Sequence, residues 1–529
     1  MTNTINLTKI YIKETLNRTF NLKGKKKFSS TMLIIGLMFL LIAASIGYNF
    51  YMMANSLNMF GKAQNVLLVG GVFSAFAVLM ITMTDAQSYF YKTKDFEMLS
   101  SLPLKQSQIV VAKIFSSYIV TTIYSAMIML PTFVVYFIFC KITVANVVFA
   151  LISLLFVPAF SQLLSSVFAW LVNAISSKMK NKMLMRSILS VIFALGIIVL
   201  IYFANNDTLT NILAGETPLW FKIIFPYAYF LLVAMNSNSI LAFLAFVGVC
   251  VLYMTATVGL IMLGYNRINK NLLVSSSKKP AKQKPLKYQQ KGVVGALLGR
   301  EARGFVMSPT YLMNGIMGPL LAIVLSYLMY GIASSLPYDP LITQIFVALE
   351  VFTIPLCLGI APTTSVSISM EGTKFLSLKS MPVKFSQLAT SKIMFNILLN
   401  LPCLLIGEIG FCLLFKPGVW VSLLIIAFSL VYLFMCSGLG LIMNLRFPKL
   451  DWTTEAQAAK QGLSLLLTMF LDMALCLAPM VIFFILMQQM PNLNIILFIG
   501  ISLIPVIIAA VVVYALLGAI GNNLYQKIN

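Results

Sequence analysis

Three carboxylates lie within stretches of the chain that are otherwise apolar: Glu350, Glu408 and Asp472. A charge inside a bilayer is costly, so such a residue often marks an ion, proton or substrate pathway, although it can also tie two helices together. Glu408 lies roughly two turns from the outer end of its apolar stretch, from where its side chain can reach water. Glu350 and Asp472 lie deeper, and we predict that they belong to a pathway.

The sequence lacks the residue patterns of the common catalytic sites. It contains no histidine, which removes the commonest general base and metal ligand. A phosphate-binding G-x-x-x-x-G-K-[ST] loop, H-E-x-x-H and G-x-S-x-G are all absent from it. The seven cysteines lie in or beside apolar runs and form no C-x-x-C pair. We therefore predict a protein that is not an enzyme and has no catalytic residues, cofactor or metal.

A polar segment occurs twice, at residues 101–114 and 380–393. The copies read S-L-P-L-K-Q-S-Q-I-V-V-A-K-I and S-M-P-V-K-F-S-Q-L-A-T-S-K-I, with seven of fourteen positions identical. Most of the identical residues are polar, so shared hydrophobicity does not explain the match. The sequence therefore predicts two similar halves in which this segment serves the same purpose.

The residues just before and within each copy could bind a soluble partner. Apolar side chains lie among mixed charges, and a proline ends the run, which fits a short amphipathic helix that docks into a groove. The alternative is a solvated loop whose positive charge only sets the topology. The predicted docking residues are Lys94, Asp95, Phe96, Glu97, Leu99, Pro103, Lys105, Glu371, Lys374, Phe375, Leu378, Pro382 and Lys384.

Composition and charge place the chain in a membrane. Of its 529 residues, 60% are hydrophobic and 10% are charged, whereas a soluble domain has about 25% charged residues. The net charge of +23 suggests nucleic-acid binding, but all except four of the 37 Lys and Arg residues fall on one side of the predicted spans, as the positive-inside rule requires. We predict no nucleic-acid partner, and we expect residues 278–291 to contact anionic membrane lipids.

Twelve apolar stretches are long enough to cross a bilayer, for which about 20 residues are needed. Each half holds six, so the halves share one orientation and both termini lie in the cytoplasm. The predicted fold is all-α, a polytopic membrane protein with about twelve transmembrane helices in two parallel six-helix halves. The predicted spans are 32–54, 64–84, 109–139, 143–172, 187–204, 239–264, 310–334, 341–363, 388–415, 418–444, 463–487 and 495–518.

Polar segments outside the spans give the domain boundaries. We predict a first half over residues 1–265, a basic cytoplasmic linker over 266–300 and a second half over 301–529. Residues 5–20 have the apolar spacing of an amphipathic helix at a membrane surface, and residues 297–305 are its counterpart in the second half. Between the fifth and sixth spans, apolar pieces punctuated by proline predict one or two short helices. These pieces are residues 219–225 and 227–235.

The segments around the repeat resemble those of a known family. Residues 94–105, K-D-F-E-M-L-S-S-L-P-L-K, resemble the coupling segment of bacterial type-2 ABC exporter permeases, and residues 371–383, E-G-T-K-F-L-S-L-K-S-M-P-V, resemble its second-half form. Residues 297–311 and 446–455 are similar to a connecting helix and a cytoplasmic signature of Gram-positive members. The resemblance implies a fused two-half membrane subunit in the bacterial plasma membrane. It also implies two copies of a soluble ATP-binding cassette subunit as partners, which hold the ATP and magnesium.

Three hypotheses about function remain. The leading one is the permease subunit of an ATP-driven exporter, which is moved through its two cytoplasmic segments. The second is an ion-coupled secondary transporter with twelve spans, which needs Glu350 and Asp472 as its ion site and gives no reason for twin docking segments. The third is a membrane protein that recruits or regulates a partner and transports nothing.

Overall fold

The computed structural model is mostly helical in the part of the chain that it describes. No strand occurs among the described residues, and the predicted all-α class of a polytopic membrane protein is confirmed. The described residues are 5–13, 28–59, 61–91, 96, 101, 103–140, 142–179, 182, 184–193, 196, 219–274, 292–334, 340–452, 455–460, 462–489 and 495–528.

The chain divides into two compact units, Met1–Lys282 and Gln283–Asn529. The division falls inside the predicted linker, but both ends of that linker are helical. Residues 266–274 continue the last helix of the first unit, and residues 293–300 begin the first helix of the second unit. Ile268 and Asn269 are buried, so the early part of the predicted linker belongs to the core of the first unit.

The first unit packs long helices side by side and adds two short ones before its last helix. The short helices follow the predicted apolar pieces and are separated at Pro226, because proline begins a helix more readily than it continues one. Leu67, Phe133 and Tyr227 lie in the core of this unit. Its helices are α1 (5–13), α2 (Phe28–Asn58), α3 (Val66–Phe90), α4 (Gln106–Phe139), α5 (Val144–Phe156), α6 (Pro158–Ser176), α7 (Leu184–Phe193), α8 (Leu219–Ile224), α9 (Pro226–Ser237) and α10 (Ile240–Val274).

The second unit has the same style of packing around a core that includes Val351, Phe428 and Phe498. Its helices are α11 (Val293–Met307), α12 (Pro309–Ser334), α13 (Pro340–Gly359), α14 (Ser367–Glu371), α15 (Phe375–Lys379), α16 (Phe385–Phe415), α17 (Val419–Arg446), α18 (Glu455–Ala459), α19 (Leu463–Gln489) and α20 (Ile495–Lys527). Within the residues described, helices of five residues occur only between α13 and α16 and just before α19.

Ten helical stretches of the described chain are long and apolar enough to span a membrane. They correspond to the predicted spans other than the first and the fifth. The first predicted span lies within α2, a helix of 31 residues. The fifth begins within α7, and residues 194–204 of it lie outside the described residues apart from Gly196.

The eighth predicted span, 341–363, overlaps a helical stretch that continues to Lys379, and this longer span is broken at the end of the predicted one. α13 ends at Gly359, and after a non-helical stretch a 3₁₀ turn (Thr363–Ser365) leads into the short helices α14 and α15. Pro362 has no N–H to continue the helix and disfavours helical geometry in the residue before it. The corresponding span of the first unit, α3, runs uninterrupted over 25 residues. The break and the repeated segment that follows it are the parts of the fold that position the candidate site.

Candidate functional site

The repeat and the predicted docking residues just before it together form residues 371–393 of the second unit and 94–114 of the first, here called the repeated segment. In the second unit this segment has a buried inner side. Phe375 and Leu378 are 0% and 2% exposed, and Phe375 packs edge-on against Tyr525. These two predicted docking residues therefore face the core of their own unit and are not accessible to a groove on a partner. They anchor the segment, because a fully buried large apolar side chain contributes about 1.5–3 kcal/mol.

The outer side of the same segment is exposed. Lys374, Pro382 and Lys384 lie on it. Two further apolar side chains, outside the predicted set, are also exposed: Leu376 at 53% and Met381 at 49%. Docking through this segment thus remains a prediction for the lysines and the proline, and its apolar contacts would come from Leu376 and Met381.

Less of the segment is described in the first unit. Phe96 is 8% exposed and packs against Tyr265 with 5.7 Å between the ring centroids, so it faces inward like its counterpart Phe375. Pro103 and Lys105 are exposed. The remaining predicted docking residues of this unit, Lys94, Asp95, Glu97 and Leu99, lie outside the described residues.

Each copy of the repeat caps the long helix that follows it. The backbone N–H of Lys105 donates to Gln108 Oε1 at 3.1 Å before α4, and the backbone N–H of Lys384 donates to Gln387 Oε1 at 3.2 Å before α16. A glutamine three residues after the N-cap returns to the N-cap backbone in this way. The repeated glutamine therefore has a structural role, and the two copies share one local structure.

Lys392, the last cation of the second copy, lies in a buried ion-pair cluster. Its side chain is 1% exposed, and its Nζ lies 2.8 Å from Glu301 Oε2 and 3.9 Å from Glu371 Oε1. Glu371 also pairs with Arg300 at 2.5 Å, and Tyr311 donates to Glu301 at 3.1 Å. Glu371, a predicted docking residue, is thus engaged inside the unit. Two cations balance two carboxylates, and the cluster joins the repeated segment to α11 and α16.

The matching cation of the first unit, Lys113, has aromatic neighbours. It is 1% exposed, and its Nζ lies 5.7–5.9 Å from the ring centroids of Tyr11, Tyr89 and Tyr265. It also donates to the backbone carbonyl of Tyr89 at 3.2 Å. A desolvated cation–π contact contributes up to about 2 kcal/mol, so these rings link Lys113 on α4 to α1, α3 and α10.

Two asparagines hold the irregular backbone after α13. Asn396 Oδ1 accepts hydrogen bonds from the backbone N–H and the hydroxyl of Thr363, both at 2.8 Å. Asn444 Oδ1 accepts from the backbone N–H of Ile368 at 2.7 Å and of Ser369 at 3.2 Å. These residues are buried, and unpaired backbone donors are costly in a buried position. These two side chains therefore make the break in the span possible.

Asp472 on α19 lies directly at the break. It is 1% exposed, and its Cβ lies 2.8 Å from the position that a Cβ on Gly359 would occupy, so only glycine fits there without a shift. Neither of its carboxylate oxygens has a hydrogen-bond partner among the described residues. Tyr432 donates to the backbone carbonyl of Asp472 at 2.9 Å. A predicted pathway residue thus coincides with a discontinuity in the neighbouring span.

Glu350 and Glu408 form a second cluster of buried carboxylates in the same unit. Ser326 donates to Glu350 Oε1 at 2.6 Å, and Ser429 donates to Glu408 Oε1. The two carboxylates lie within electrostatic range of each other. Both are 0% exposed. The expectation that Glu408 reaches water is wrong, because neighbouring helices enclose it.

A polar stripe along α16 connects these places. Lys392, Asn396, Asn400 and Glu408 are all buried and lie at multiples of four residues. Each step of four turns the position by about 40°, so the stripe winds around the helix, and Glu408 lies about 160° around the axis from Lys392. The stripe covers about 24 Å of helix axis at 1.5 Å per residue. The sequence carries this signal, since polar residues recur at helical spacing inside an apolar span. Asn396 and Asn400 have no charge and are not among the predicted site residues.

Comparisons with known proteins identify the family of the chain but no individual relative. No curated protein and no solved structure matches it. A family model described as a membrane protein of 12 TMs matches residues 27–515, which covers nearly the whole chain. The match is to that family and not to exporter permeases, so the resemblance to bacterial type-2 ABC exporter permeases is wrong. The chain belongs to this family of membrane proteins with twelve transmembrane segments.

Proposed function

We propose that the chain is the membrane-embedded subunit of a transporter and that its two repeated segments receive force from a soluble, ATP-hydrolysing subunit. The observation that carries this proposal is the ion-pair cluster around Lys392. A loop that only sets topology needs no buried link to the interior of the protein. This segment combines such a link with an exposed face that includes Lys374, Leu376 and Met381.

The cluster gives the segment a route to the spans. A pull on the exposed face acts through Glu371 on Lys392, which lies on α16. One turn further along, α16 carries Asn396, which holds the backbone of Thr363 at the break. Packed interiors switch between discrete arrangements and do not deform continuously. A displacement of the segment therefore becomes a rearrangement of α16 and of the broken span.

The number of segments suggests two copies of the partner, one for each repeat. Under this proposal the partner binds ATP and magnesium, because the chain contains no phosphate-binding loop of its own. The segments and both termini then lie in the cytoplasm of a bacterial cell, and the spans lie in its plasma membrane. The excess of basic residues on that side would meet the anionic lipid headgroups.

The exposed apolar residues provide a direct test. The tagged chain is purified in mild detergent from its own host, and the ATPase activity that co-purifies is measured. Leu376→Asp combined with Met381→Asp should remove most of this activity, because two charges replace the apolar contacts while the buried side is untouched. Val293→Asp, at an apolar position with 44% exposure on α11, is the control and should retain it. A wild-type chain that brings no ATPase activity, or a double variant that keeps all of it, contradicts the proposal.

A second candidate function is transport driven by an ion gradient without a soluble partner. The observation in its favour is the enclosed pair Glu350 and Glu408, each bound by a serine hydroxyl and within electrostatic range of each other. Two carboxylates in one desolvated place do not both keep a charge easily, so they can share and exchange a proton. This candidate gives no role to the exposed face of the repeated segment.

Vesicles with measurable transport separate the two candidates. Transport that continues with ATP present after an uncoupler has collapsed the proton gradient rules out the second candidate. Transport that stops on addition of the uncoupler, while ATP stays constant, rules out the first. Glu350→Gln should abolish transport only in the second case, whereas Asp451→Asn, which removes an exposed carboxylate of the same unit, should leave it unchanged in both.

A further inference from the structure

The ion-pair cluster of the second unit balances its own charges and leaves none for Asp472. Lys392 reaches toward the break only as far as the backbone carbonyl of Ser367, to which its Nζ donates at 3.2 Å. Within the described residues Asp472 therefore has no counter-charge in hydrogen-bonding contact. An isolated carboxylate in a dry interior is strongly unfavourable, so it either takes up a proton or binds a cation.

The end of α13 makes the surroundings of Asp472 more negative. α13 ends at Gly359, and Asp472 Oδ2 lies 3.5 Å from the position of a Cβ on that residue. The last carbonyl groups of a helix have no intrahelical donor and together carry about half a negative charge. A carboxylate at a helix C-terminus reverses the favourable arrangement, and positive charge between the two would relieve the repulsion.

A neutral oxygen lies on the far side of the break. Thr364 is 0% exposed, and its hydroxyl has no hydrogen-bond partner within the described chain. It faces Gly440 on α17, where a Cβ would come within 2.5 Å of the hydroxyl oxygen. Gly440 is one turn from Cys436, which lies within electrostatic range of Asp472. Asp472 also accepts, through its backbone carbonyl, from Tyr432 on α17, so the carboxylate of Asp472 and the hydroxyl of Thr364 both lie along one stretch of α17.

We propose that the break is a binding site for an alkali-metal cation. Asp472 is its charged ligand, and the carbonyl oxygens at the end of α13 and the hydroxyl of Thr364 are its neutral ligands. Oxygen ligands of these kinds suit hard cations, and broken membrane helices present carbonyl groups where ions bind. The site does not depend on which energy source drives the transporter.

The charge of the site selects a monovalent ion. One carboxylate neutralises one positive charge, whereas a divalent ion would leave a net charge in a dry interior. Among the described residues no group of three or more His, Cys, Asp and Glu side chains could hold a metal ion. A bound alkali cation ties α19 to the end of α13, and it stabilises the folded second unit because the site exists only there.

The test measures binding to the complete chain, purified in detergent. Thermal unfolding is followed in sodium, potassium and choline chloride at equal ionic strength, and binding of radioactive sodium, or of rubidium in place of potassium, is measured at equilibrium. We expect a higher unfolding temperature in an alkali salt than in choline chloride and one bound alkali ion per chain. Asp472→Asn should abolish both effects, and Asp451→Asn, at an exposed carboxylate, should retain both.

Thr364→Val is the second variant, and it serves if Asp472→Asn does not fold. It keeps the shape of the side chain and should weaken binding by about 3- to 10-fold, the range expected for the loss of one neutral polar contact. Equal unfolding temperatures in the three salts with no bound alkali ion overturn the proposal. A stabilisation that depends on pH alone and is lost in Asp472→Asn also overturns it, because Asp472 is then a protonated acid.

Discussion

The two units carry a matching asparagine near the end of a matching helix and use it differently. Residues 166–173 of α6 read S-V-F-A-W-L-V-N, and residues 437–444 of α17 read S-G-L-G-L-I-M-N. Asn444 accepts from two backbone N–H groups of the broken span and donates to Ser464 at 3.0 Å. Asn173 donates to the Ala169 carbonyl of its own helix at 2.7 Å, and its Oδ1 has no partner in the part of the chain described.

The difference follows from the helix that each asparagine faces. α6 packs against α3, whose backbone donors are already used because the helix is continuous. α17 packs against the 3₁₀ turn and α14, where the chain has left the helix and its donors need partners. A buried amide stabilises a unit when it satisfies such donors and is close to neutral or unfavourable when it has little to bind. The two units therefore differ in the backbone of one span, and the different hydrogen bonds of the two asparagines are a consequence of that difference.

The repeated cation shows a second difference between the units. Lys392 and Lys113 hold the same place at the start of a long helix and are equally buried, so their position relative to the repeated segment is kept. Lys392 contacts carboxylates, and Lys113 contacts the faces of tyrosine rings. The place of the cation is therefore common to both units, whereas its described neighbours are specific to each.

The largest effect is expected from removing the charge of Lys392. Lys392→Met leaves Glu301 and Glu371 with Arg300 as the remaining cation of the cluster, and breaking a buried ion pair in this way costs about 3–5 kcal/mol. The free energy of unfolding, measured by reversible titration of the purified chain with SDS, should fall by this amount. Adding Glu301→Gln should recover part of the loss, because it restores the balance of charge.

The first unit supplies the contrasting measurement. The ammonium of Lys113 contacts the ring of Tyr265, so the losses of stability caused by Lys113→Met and Tyr265→Leu should be less than additive. The coupling energy should be about 0.5–2 kcal/mol. A loss at Lys392 that does not change when Glu301 is neutralised would show that the cluster is not electrostatic in origin. The two lysines would then have different neighbours but would not be stabilised by different kinds of interaction.

The next largest effect concerns the matching asparagines. Asn444→Leu leaves the N–H groups of Ile368 and Ser369 unpaired in the interior, at about 1–2 kcal/mol for each, in the lower part of the range for an unsatisfied donor, and should destabilise the chain by about 2–4 kcal/mol. Asn173→Leu removes a buried amide oxygen that has no partner within the described residues and should change stability by less than about 1 kcal/mol. The same unfolding titration measures both. Similar losses at the two positions would contradict the comparison.

A smaller effect separates the residues that lie one turn earlier on the same helices. Gly440 aligns with Ala169, and a Cβ at Gly440 would lie 2.5 Å from Thr364 Oγ1 and 2.9 Å from the backbone nitrogen of Ser365. Alanine normally favours a helix over glycine by about 1 kcal/mol, but here the clash outweighs this preference, and Gly440→Ala should cost about 1–3 kcal/mol. Ala169→Gly should cost about 0.5–1 kcal/mol, as in any helix. A stabilising Gly440→Ala would mean that the broken span does not press on α17.

Most helices of the fold follow from local signals in the sequence, but the break does not. Apolar length predicts the spans, and prolines separate the two short helices α8 and α9. Proline alone does not predict a broken span, because α4 and α16 contain Pro131 and Pro402 and remain continuous. The chain leaves the helix after Gly359 because Asn396 and Asn444 receive its donors. Those residues are distant in the sequence, and a single sequence does not show which backbone they meet.

The candidate site was predictable to a similar extent. The acidic residues in the spans stand out because charge is rare there, and Glu350 and Asp472 are indeed enclosed by the second unit. The side of the repeated segment that faces inward was not predictable. An amphipathic pattern shows that Phe375 and Leu378 share a face, but it does not show that Tyr525, at the other end of the unit, covers that face.

The smallest effect distinguishes two lysines that follow the matching helices, Lys449 and Lys178. Burial lowers the pKa of Lys449 below its usual value, so the folded chain holds this proton less tightly than the unfolded chain does. Stability is therefore reduced at pH values below the lowered pKa, and it recovers as pH rises through the window up to the usual value. Lys449→Gln removes this penalty, and at neutral pH it should raise stability slightly, by no more than about 0.5 kcal/mol. The gain should shrink as pH rises through that window. Lys178 is exposed, and Lys178→Gln is the control for replacing a surface lysine. A stability gain in Lys449→Gln that stays constant across that window would contradict the prediction and remove Lys449 from the comparison.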